Sequence, residues 1–67
     1  MNATEIVAQN IRDRNLAAYT IRGMVYEIGG GIDVTEEERI VRAALIEVYE
    51  EKMGEDAAEV LMDEVGL

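Results

Sequence analysis

The sequence predicts an all-α fold: a small antiparallel three-helix bundle with a long first helix, completed by homodimerisation. Three observations carry this reading. Proline is absent, and the six glycines fall at 23, at 29 to 31, at 54 and at 66, so helix-breaking residues mark few boundaries. Between those boundaries the apolar residues recur at steps of three and four, the spacing of a helix face. Finally, 67 residues form one domain, 1–67, whose core leaves only a few kcal/mol after chain entropy is offset. Disulfides cannot add to that margin because there is no cysteine, and without histidine a closed zinc site is not expected, so association is the remaining support.

The first segment, about 3–28, places Val7, Ile11, Arg14, Ala18, Ile21, Val25 and Ile28 at alternating steps of four and three, a heptad seam with one polar interruption. Asn2 or Thr4 is suited to cap its start and Gly29 to end it. Gly23 weakens the helix by about 1 kcal/mol and marks where a kink or break would fall. A continuous helix would be about 36 Å long. The second segment, 35–53, opens on Thr35 with Glu38 three residues on, the spacing of a capping box. Its apolar residues, from Ile40 to Met53, cover most of the helix circumference, which assigns it to the centre of a bundle or to an interface. The third, 55–65, repeats the capping spacing with Asp56 and Glu59 and sets Ala57, Ala58, Val60, Leu61, Met62 and Val65 against an acidic side. Alone it would be marginal in water, so it must dock on the others.

The net charge of −9 is uneven: residues 1–33 sum to −1 and residues 34–67 to −8. Direct nucleic-acid binding draws its affinity from cationic side chains and is not expected of this balance, whereas a protein partner with a basic surface suits it. No apolar run exceeds four residues, so no membrane span is expected, and the start does not read as a secretory signal, which points to a cytoplasmic location.

Chemistry is sparse. With no cysteine, histidine or serine, the common nucleophile and base combinations cannot be assembled, and no catalytic residue, cofactor or metal is assigned. Gly29-Gly30-Gly31 has neither the preceding strand nor the lysine and hydroxyl of a phosphate loop, and reads as an interhelical turn. Asp33 with Glu36, Glu37 and Glu38 lacks the alternating oxygen ligands and central glycine of a calcium loop, and capping accounts for these acids.

Two surfaces remain. Glu47, Glu51, Glu55, Asp56, Glu59 and Asp63 form an acidic face whose like charges recur four residues apart, with only Glu38–Arg42 and Lys52–Asp56 offering local neutralisation. It serves either as a solubilising surface or as one complementary to a basic groove that ordinarily holds nucleic acid. On the first helix Ile11, Arg14, Leu16, Ala18, Tyr19 and Tyr26 form the candidate interface, with two tyrosines and a leucine where a simple monomer would be polar. Arg14 on the seam has two readings: a stem lying over apolar surface with its head in solvent, or a buried pair that sets register. In composition alone the chain is similar to small regulators and inhibitors of phage or bacterial origin. The functional expectation is a protein-binding inhibitor or regulator, with a structural or adaptor homodimer as the alternative.

Overall fold

The computed structural model describes residues 1–31 and 33–67, and among these the chain forms four helices and no strand. Helix α1, Ala3–Arg14, is capped by Asn2, whose Oδ1 accepts from the Glu5 N–H at 2.8 Å. Helix α2 is Ala18–Ile28. Helix α3, Glu36–Met53, begins with the full capping box: Thr35 Oγ1 accepts from the Glu38 N–H and the Glu38 carboxylate accepts from the Thr35 N–H. Helix α4, Glu55–Val65, follows after Gly54 alone, whose φ of 95° turns the chain in one residue.

The expected long first helix is therefore two helices, and the bundle has four members, not three. The break falls at residues 15–17 and not at Gly23, which lies inside α2. Asn15 adopts the left-handed conformation (φ 51°, ψ 49°) and donates its N–H to the Arg12 carbonyl. Asparagine tolerates that conformation better than most residues because its short polar side chain bonds locally. The reason for breaking is tertiary: the whole fold measures 28 × 24 × 17 Å, so a straight helix of about 36 Å would overhang it and leave part of its seam in water. Split, both halves lie against α3. The cost is that α2 starts from Ala17 with no side-chain cap.

Helix α3 is the hub, packing on α1, α2 and α4, while α4 also meets α2. That fits the wide apolar spread of its sequence. The core takes Ala8 and Ile11 from α1, Ile21 and Val25 from α2, Ala44, Leu45, Val48 and Tyr49 from α3, and Ala58 and Leu61 from α4. Among the described residues no charged or polar side chain is buried with it. Asp56 does not cap α4 as its spacing suggested; it lies in the first turn behind Gly54, where its charge meets the positive helix end.

The triple glycine has a structural use at its middle member. A Cβ on Gly30 would stand 2.0 Å from the Val65 carbonyl oxygen, so the turn between α2 and α3 lies directly on the end of α4. Gly66, left-handed at φ 83°, finishes α4 with the Leu67 N–H donating to the Met62 carbonyl and its own N–H to Asp63, a Schellman ending.

Candidate protein-binding surfaces

Three arginines fasten the helices and thereby decide which acids stay unpaired. Arg12 on α1 grips Glu51 on α3 through Nε (2.9 Å) and Nη2 (2.6 Å), with Glu47 close enough to contribute to its field. Hydrogen bonding to Arg12 holds the Glu51 carboxyl below its ordinary range. Arg22 on α2 reaches Glu64 on α4 at 3.2 Å, lies 4.9 Å from the centre of the Tyr26 ring and donates to the Tyr26 hydroxyl at 3.1 Å. The Tyr26 hydroxyl, and after it Arg22, keep the Glu64 carboxyl low, and the Glu64 hydrogen bond in turn raises the Tyr26 phenol. Arg42 donates to the Gly29 carbonyl, tying α3 to the turn, instead of pairing with Glu38. The Lys52–Asp56 pairing is likewise absent among the described residues, and the local pair that does form is Arg39–Glu36 at 3.9 Å.

The acidic face expected from sequence is divided by this framework. Glu47 and Glu51 lie on α3 beside Arg12, and Glu51 is engaged. Glu55, Asp56, Glu59 and Asp63 lie on α4, all exposed, on the side away from the buried Ala58 and Leu61. None of these four enters an ion pair among the described residues, and α4 itself contains no basic residue.

The interface expected on the first helix is also redistributed. Ile11 is 7% exposed and belongs to the chain's own core, and Ala18 is half-buried beside it. Leu16 sits in the α1–α2 connection, half-buried, and lines a cleft of about 220 Å³ with Val7, Ile11, Met24, Val41 and Leu45. Arg14 is exposed at that cleft and forms no ion pair among the described residues, the arrangement in which an arginine stem covers apolar surface while its head stays in water. Tyr19 remains 81% exposed and Tyr26 41%, on one face of α2. Tyr49, the third tyrosine, is in the core.

Sequence reasoning missed three features. Arg22 and Glu64 were assigned no role, because their partnership spans 42 residues and depends on how α2 and α4 lie together. A groove of about 400 Å³ runs along α3 and α4, lined by Ala43, Ile46, Met62 and Leu67 with Arg39 and Arg42 at its margin. Val60 is 58% exposed although it was placed on the apolar side of its helix.

No carboxyl group among the described residues is buried, and the shifts resolved on Glu51 and Glu64 are downward. No group of acids is arranged to hold a metal ion among these residues, and no helix is long and apolar enough to cross a membrane. Comparison with protein-family models, with curated proteins and with solved structures yields no match.

Proposed function

We propose that this chain is a protein-binding module, an inhibitor or regulator that docks the acidic stripe of α4 on a basic surface of its partner, including one that ordinarily holds nucleic acid. The observation that carries this is the contrast between the two acids that the arginines engage and the four that α4 turns outward. Arg12 and Arg22 are consumed by Glu51 and Glu64, whereas Glu55, Asp56, Glu59 and Asp63 are left exposed with no cation on their own helix. Glu55–Glu59 and Glu59–Asp63 are like-charge neighbours four apart, each costing a few tenths of a kcal/mol in an isolated helix. A basic partner would relieve that repulsion, and carboxylates stepping along α4 at intervals of about 6 Å would present charge to a cationic groove.

The test is affinity capture from the native host with the wild-type chain and with a variant carrying Glu55→Lys, Glu59→Lys and Asp63→Lys. A basic protein retained by the wild type, lost on reversal and released by raised salt supports the reading. Capture that survives reversal, or that resists salt, overturns it.

A further inference from the structure

Helix α2 carries a local weakness that the fold does not explain. Gly23 lies mid-helix and exposed, and a Cβ added there would meet nothing within 4 Å among the described residues. It makes no turn and has no positive φ, in contrast to Gly29, Gly54 and Gly66, and it makes no close approach, in contrast to Gly30. Alanine at this position would strengthen the helix. Tyr19 stands four residues before it and Tyr26 three after, the spacing of one helix face. That face therefore presents two exposed aromatic rings around a flat gap with no side chain.

We propose that this face is where two copies of the chain pair, α2 of one crossing α2 of the other at Gly23, with Tyr19 and Tyr26 of each packing over its partner. Glycine at the crossing brings the two axes to the close end of helix packing distances, and the tyrosines supply amphipathic area at little entropic cost. Tyr26 is already held by the Arg22 guanidinium, so ordering it on docking costs less still.

Charge directs a second copy to this face. The chain carries −9, concentrated in residues 34–67, so two copies repel unless they meet where the local charge is small. Helix α2 contains one cation, Arg22, and one anion, Glu27, and with Glu64, which pairs with Arg22, the region sums to −1 of the chain's −9. A basic partner would be drawn to α4, not to this face. Contact through one helix is self-complementary about a two-fold axis and small, so the dimer is weak and concentration-dependent. The proposal uses none of Glu55, Asp56, Glu59 and Asp63 and stands apart from the function proposed above.

Sedimentation across a micromolar to millimolar series tests it, on the wild type and on Gly23→Leu, Tyr19→Ala and, as a control in the α3–α4 groove, Ala43→Gln. The wild type is expected to dimerise, more tightly as salt screens the repulsion. Gly23→Leu, which has room in the monomer and retains its helical circular dichroism, is expected to raise the dissociation constant about tenfold or more. Tyr19→Ala should act in the same direction and Ala43→Gln should leave it unchanged. A wild type that stays monomeric throughout overturns the proposal. So does a dimer that ignores Gly23→Leu or is broken by Ala43→Gln.

Discussion

Replacing Gly30 by alanine should be among the most destabilising single-methyl changes available to this chain. The added Cβ would stand 2.0 Å from the Val65 carbonyl oxygen and 2.9 Å from its carbonyl carbon, where ordinary contact begins at 3.4 Å. The neighbours are backbone, so no side chain can rotate away; either the turn or the end of α4 must move by more than about 1 Å, well beyond what a close-packed contact absorbs. Overpacking of this kind costs about 1–3 kcal/mol. A rigid backbone neighbour belongs at the upper end, and the smaller unfolded-state entropy of alanine returns at most about 1 kcal/mol. The net loss of about 2 kcal/mol corresponds to a fall in Tm of about 8–16 °C for a domain of this size. Gly31→Ala is the matched control, since among the described residues its Cβ would meet nothing nearer than 3.9 Å. Thermal and urea unfolding followed by circular dichroism, at one protein concentration, would measure both. If Gly30→Ala unfolds within about 0.5 kcal/mol of Gly31→Ala, the seating of the glycine turn on α4 is wrong.

Other perturbations probe other parts of the structure. Ala17→Ser should stabilise the fold by about 0.5–1 kcal/mol, because α2 begins there without a side-chain cap; an unchanged urea midpoint would count against the α1–α2 break. Leu61→Ala removes a side chain only 1% exposed and should cost about 2–5 kcal/mol, enough to leave much of so small a domain unfolded at room temperature by circular dichroism. Glu51 is held below its ordinary range by Arg12, so its contribution is present at neutral pH and disappears as pH falls through the folded-state value. Wild type should accordingly exceed Glu51→Gln in stability at pH 7 and converge with it in acid below the ordinary glutamate range; a gap that persists there would contradict the Arg12–Glu51 pairing.

Local signals in the sequence located most helix ends. Thr35 with Glu38, Asn2 ahead of Glu5, and Gly29, Gly54 and Gly66 each act through hydrogen bonds or dihedral angles within a few residues, and each marks a real terminus. The centrality of α3 was equally legible, because apolar residues around most of a helix have to be covered from several sides. The break at Asn15 was not. Residues 15–17 contain neither glycine nor proline, and the seam from Val7 to Ile28 continues through them in register, so the short-range signals put any break at Gly23 instead. Similarly, Ile11 and Ala18 read as interface because their cover was sought on another chain, whereas the fold supplies it from within.

What the sequence by itself determined is the helical class, the capping box of α3, the joints at Gly29 to Gly31 and Gly54, the stop at Gly66 and the excess of acid in the second half, all properties of neighbouring residues or of composition. Tertiary structure alone decided that the first helix divides, that Arg12 and Arg22 occupy Glu51 and Glu64 while Glu55, Asp56, Glu59 and Asp63 stay unpaired among the described residues, and that Gly30 must lack a side chain. These depend on groups 35 to 42 residues apart meeting within a few ångströms. The physical reason is that burial and charge pairing act through space, and a continuous apolar seam is worth less than two shorter helices that each lie fully against α3.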